Sequence, residues 1–186
     1  MKRRWKKFLA GVLSAALALN LAAPLALADG VACRVTKVFV YPDHVGRVNS
    51  VNVNCIQGEV SYNQGVLTFD GDVTLTTVGP ADTGTISLVE ALSEKNLRLV
   101  ANGKVTGRTK GNGFDGAKEI ARGEYDLSNL DSENRSKGIL GTTNDKTTIA
   151  SDTRITLNGF QTGIGWGSVQ IDGKVKITNA ECGIAN

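Results

Sequence analysis

Apolar and polar residues alternate along residues 65–77: Leu67, Phe69, Val73 and Leu75 share one face of a period-two pattern, and Thr68, Thr74 and Thr76 share the other. That pattern predicts half-buried strand, and the β-branched Thr and Val that crowd it disfavour helix. The design returns at residues 167–179, through Val169, Ile171, Val175 and Ile177, and more loosely at residues 97–106. The irregular spacing of the three copies reads as a recurrent local solution and not as a solenoid of fixed period. Asp70-Gly71, Asn102-Gly103 and Asp172-Gly173 interrupt the alternation. A two-residue hairpin turn at these sites would mix the faces. A loop one residue longer pairs Phe69 with Val73, Leu67 with Leu75, Ile171 with Val175 and Val169 with Ile177, which keeps the apolar face together. A single strand running through, with Gly71 and Gly173 on the apolar face, fits the pattern equally.

Residues 31–41 and 48–55 predict two more strands around a turn at 42–46. Counting outward from His44 sets Cys33 opposite Cys55 and Val35 opposite Val53, so Cys33 and Cys55 are expected to form a disulfide and Cys182 to be a buried or free thiol. The alternative pairs Cys55 with Cys182 and lipidates Cys33, although Gly30-Val31-Ala32-Cys33 is a poor lipobox. Residues 87–95 predict the one short helix: Ser87 and Glu90 fit a capping box, Ile86 and Ala91 a hydrophobic staple, and Leu88, Val89, Ala91 and Leu92 would face the sheet. Residues 128–145 are polar and predict mostly loop. The expected fold is therefore all-β with one short helix near 87–95, as an antiparallel β-sandwich or a small barrel.

The first 28 residues change the reading of charge. Lys2, Arg3, Arg4, Lys6 and Lys7 precede an apolar run that ends in Ala26-Leu27-Ala28, the form of a cleaved signal peptide. Residues 29–186 are then expected to form a single β-rich domain, secreted or held in the periplasm or cell envelope of a bacterium, with no transmembrane span after cleavage. Taking those five basic residues from the chain's 21 Lys and Arg leaves 16 against 18 Asp and Glu, a net charge of −2. The basic balance of the whole chain thus belongs to the leader, and nucleic acid is not an expected partner. An exported chain is also where a disulfide is expected to persist.

Chemistry is narrowed by what the chain lacks. His44 is its single histidine and lies in a turn, where a catalytic triad or dyad finds no third group to hold the base. One His beside paired cysteines cannot supply the common zinc sets, and no metal or cofactor is expected. Residues 111–116 match the spacing of a dinucleotide fingerprint, and loosely a calcium nonapeptide with Asp115 as ligand. Neither context is present, so a Gly- and Lys-rich loop is expected there. Carboxylates remain: Asp70 and Asp72 flank Gly71, and Glu119, Glu124 and Asp126 lie close in sequence, which keeps open a hydrolase acting on an extracellular polymer. In residues 159–167 Trp166 stands among closely spaced glycines, with little in sequence to cover it. Phe160 and Trp166 are accordingly the candidate ligand-binding residues, with a core plug as the competing role for the indole.

The run from Leu67 to Leu75 resembles the repeating strands of periplasmic lipopolysaccharide-transport β-jellyroll proteins, and that resemblance implies an antiparallel jellyroll and a lipid-binding role in the envelope. The order of strands, Leu-Val-Glu-Ala-Leu segment and strand also resembles small exported OB-type barrels. The function expected from the residues is a non-catalytic envelope or extracellular module that binds a glycan, a lipid or a protein partner. The alternative is the carboxylate-based hydrolase.

Overall fold

The computed structural model describes residues 25–26, 32–42, 48–77, 87–91, 95–131, 135–142 and 146–185, with side chains from Ile56 onward. The leader expected at 1–28 lies outside the described residues apart from β1 (Leu25–Ala26), which belongs to a first unit, Met1–Ala32; the rest of the chain, from Cys33, forms a second. There, β2 (Ala32–Pro42), β3 (Val48–Asn63), β4 (Val66–Thr76) and β5 (Ser87–Ala91) come first. Four triplets follow. They are β6 (Arg98–Ala101), β7 (Lys104–Thr109) and β8 (Asn112–Asp115); β9 (Glu119–Ala121), β10 (Gly123–Asn129) and β11 (Lys137–Leu140); β12 (Lys146–Ile149), β13 (Thr153–Asn158) and β14 (Thr162–Gly165); and β15 (Ser168–Ile171), β16 (Lys174–Thr178) and β17 (Cys182–Ala185).

Each strand of a triplet pairs in parallel with the strand three places on. One ladder runs β6, β9, β12, β15, a second β7, β10, β13, β16, and a third β8, β11, β14, β17. β4 opens the first two ladders by bending: Val66 to Phe69 pair with β6 and Val73 to Thr76 with β7, while β5 opens the third against β8. The chain is thus wound as a coil of three strands per turn, a parallel β-helix. Parallel partners need a crossover, and here two strands and the corners between them provide it.

This overturns the antiparallel sandwich or barrel, and with it the jellyroll and OB-type expectations. The Asp-Gly units are corners. β4 passes through Gly71 as one strand, at φ +72°, and the two halves face different ladders instead of each other. Among the described residues, antiparallel pairing is confined to the start of the unit, where β3 turns at Gln64-Gly65 onto β4, also borders β5, and carries β2 on its other side. In that hairpin Arg34 lies opposite Ile56 and Thr36 opposite Val53, so the register differs from one centred on His44. The Cys33 and Cys55 side chains, and His44, lie outside the described ones.

The predicted helix at 87–95 is also overturned. Ser87–Ala91 is strand β5, because Val89 stacks on Phe114 in the third ladder and Leu88 is fully buried; long-range packing outweighs the local cap. Residues 111–116 are not a loop either, since β8 occupies Asn112–Asp115 with Phe114 in the core. Within 128–145, β11 supplies a strand of the third ladder.

Winding turns the alternating pattern into columns. Leu67, Leu99, Ile120, Ile149 and Ile171 stack along the first ladder, and Val73, Val105, Tyr125, Ile155 and Val175 along the second. Phe114, Ile139, Ile164 and Ile184 stack along the third. Beside that column the third ladder carries Gly113, Gly138, Gly163 and Gly183. A Cβ on Gly138 would lie 2.6 Å from the Gly163 carbonyl oxygen and 2.9 Å from both Leu157 methyls, so the ladder admits no side chain there.

Tyr125 lies at the centre, edge-on to Phe114 (ring centroids 5.7 Å apart) and to Phe69 (6.4 Å). Its hydroxyl donates to the Ala121 carbonyl at 3.0 Å. Burial, followed by the Asp152 charge, raises the phenol pKa far above its ordinary value. The folded chain therefore holds the ring neutral where the unfolded chain would ionise it. That contribution is fully present below about pH 10 and is lost as pH rises through the raised folded value. Alkaline titration followed by tyrosinate absorbance and circular dichroism together should show Tyr125 ionising only with loss of strand signal, and Tyr125→Phe should remove that coupled step.

Candidate functional site at the Trp166 corner

The corner between β14 and β15 displays the indole. Trp166 is 57% exposed and has φ +59°, a left-handed backbone conformation that is a rare position for a bulky side chain, followed by Gly167 at +81°. The corner is pinned from the preceding coil: the Gly141 N–H donates to the carbonyls of Gly165 and Trp166, both at 3.1 Å. Backbone strain of this kind costs on the order of 1–3 kcal/mol. Here ring burial does not offset it.

One charged side chain lies on the ring, and a carboxyl sits two strands further along the same ladder. Lys137, on the outer side of β11, runs past Gly165, whose added Cβ would meet the lysine stem at 3.1 Å, and brings Nζ to 3.9 Å from the indole centroid. That distance makes a cation–π contact. The missing side chain at Gly165 is what lets the lysine lie flat. Asp115, in register with Leu140 on the neighbouring strand, is half-buried. Burial pushes its carboxyl above the usual carboxylate range, and the nearby Lys137 charge opposes that rise.

Phe160 does not join this surface. It is 1% exposed and packs in the core. It also helps line a hollow of about 280 Å³ together with Gly159, Gln161, Asn179, Ala180 and Glu181. Of the two residues predicted to bind ligand, one is thus presented to solvent and the other is packed inside. Lys137 was not anticipated, being 29 positions from Trp166 in sequence. The signal for it was the echo of Lys137-Gly138-Ile139 in Thr162-Gly163-Ile164, which aligns the lysine with the strand leading to the tryptophan.

The carboxylates singled out in the sequence are tied into outward ladders. Arg98 pairs with Glu119 at 2.9 Å, and Lys104 lies 3.6 Å from both Glu124 and Asp126. Asp70 accepts from the Asn102 amide at 2.6 Å, and Asp72 from the Lys104 N–H at 3.3 Å. Glu90 and Asp115 are ladder neighbours, side by side on one wall instead of facing across a cleft as a hydrolytic pair does. Among the described residues no group of three His, Cys, Asp or Glu is placed to hold a metal ion. Comparison with protein-family models, curated proteins and solved structures finds no match.

Proposed function

We propose that this chain is an exported, non-catalytic binding module of the envelope or extracellular space, and that Trp166, with Lys137 lying on its ring, is its contact with a glycan. The observation that carries the reading is the exposed indole held in a strained left-handed conformation without burial to offset it. The left-handed backbone recurs at the exposed Gln64, Arg122 and Asn179; what sets Trp166 apart is that a bulky ring, 57% exposed, occupies such a position, which packing does not explain. Lys137 takes part of the ring's electrostatics, and the remaining indole surface offers an apolar platform with one N–H donor. A lysine beside a single exposed ring suits the hydroxyls and C–H face of a sugar. A lipid would call for a broader apolar patch.

Trp166→Gly tests it. The exchange removes the ring and relieves the left-handed strain, so stability is expected to hold or rise by up to about 1 kcal/mol, while retention on a panel of envelope and extracellular polysaccharides is lost. Lys137→Ala should weaken retention less. Unchanged retention in Trp166→Gly sinks the proposal. A marked fall in melting temperature would make the indole a structural residue instead.

A further inference from the structure

The two ends of the winding are treated differently. At its start, the antiparallel β2–β3 hairpin lies along β4 and β5. In the last described coil, β15, β16 and β17 are laddered to β12, β13 and β14. There the core columns surface: Ile171 is 38% and Ile184 55% exposed, and Val169, Val175 and Ile177 are only partly covered. These are interior positions with strand backbone beside them, which suits the addition of another strand layer.

We propose that this face docks a second copy of the chain about a two-fold axis running through β17 and the opposite corner at Gly173. Such an axis lays β15 of one copy antiparallel on β16 of the other. Directly opposed residues must then share a face. Centring on Gly173 sets Ile171 against Val175 and Val169 against Ile177 inside. Outside, it sets Asp172 against Lys174, Gln170 against Lys176 and Ser168 against Thr178. The apolar columns continue across the joint, and two Asp–Lys pairs of opposite charge form at the corner. An axis through β16 instead opposes lysines to lysines, which disfavours that arrangement. The β2–β3 hairpin occupies the other end, so head-to-tail growth meets no matching coil.

The coil spans Ser168 to Ala185, 18 residues, slightly fewer than the roughly 20 to 30 a side of a standard interface. The joint is therefore a concentration-dependent dimer. Analytical ultracentrifugation of the protein as exported, over a range of concentrations, should show a monomer–dimer equilibrium. Asp172→Lys and Lys174→Asp, both at exposed positions, should each raise the dissociation constant about tenfold, and the double exchange should restore it. Circular dichroism melting of all three confirms that the fold is intact. A monomer at every concentration, polymers beyond the dimer, single exchanges without effect, or a double exchange that fails to restore association would each overturn the proposal. Glycan retention by Trp166 is measured separately, so failure of one leaves the other standing.

Discussion

Tyr125→Ala is expected to lower stability by about 3 to 5 kcal/mol, the range for deleting a fully buried aromatic ring. The ring is edge-on to both Phe69 and Phe114 and stacks between Val105 and Ile155 in the second ladder, so its removal opens a cavity that rigid strands on every side cannot collapse to fill. Set against a total stability of about 5 to 15 kcal/mol, the loss leaves a marginal fold. Denaturant unfolding by circular dichroism measures it. A change under about 1 kcal/mol would show that the winding tolerates an empty centre and that this account of the core is mistaken.

Gly138→Val should also destabilise the fold, for the opposite reason. The position faces the Gly163 carbonyl on one side and Leu157 on the other, and even the first carbon of a side chain has no room. Overpacking in a core typically costs about 1 to 3 kcal/mol, and here the obstacle includes backbone of the next coil, which cannot rotate away. The same substitution at Gly183, where an added Cβ would meet nothing within 4 Å, is expected to change stability little. Comparing the two melting curves separates steric conflict from any general intolerance of valine in these strands.

The alternating strands within 65–77, 97–106 and 167–179 were legible in the sequence, whereas β5, β8 and β11 read as helix or loop and the way the strands associate was not legible. Leu67, Phe69, Val73 and Leu75 do all face the core, as period two required. Period two, however, is the same whether a strand folds back on its neighbour or continues round a corner. Choosing between them needs the partner's position, and along the first ladder the steps from Leu99 to Ile120, Ile149 and Ile171 are 21, 29 and 22 residues. Corners of unequal length hide the repeat along this ladder from a search at fixed spacing. The more faithful marker was Gly followed by a large apolar residue, at Gly113-Phe114, Gly138-Ile139, Gly163-Ile164 and Gly183-Ile184, which lie in the third ladder.

Ser87 failed as a helix start because its capping signal is local, whereas the burial of Leu88 and Val89 depends on strands more than twenty residues away. Of the candidate site, the exposure of one residue was legible. Closely spaced glycines do leave Trp166 uncovered, but the same reasoning placed Phe160 beside it. What decides Phe160 is the direction of the corner after β13, and sequence carries no sign of that.

Winding also governs how this molecule comes apart. Each coil touches only the coil before it and the coil after it, so cohesion is a sum of joints between successive layers. Unwinding can then begin at the last layer, where Ile171 and Ile184 have the least cover, and proceed one layer at a time toward the β2–β3 hairpin. Amide exchange along such a molecule follows a gradient and not a single threshold: rapid in β15 to β17, slower through β12 to β14, and slowest around Tyr125.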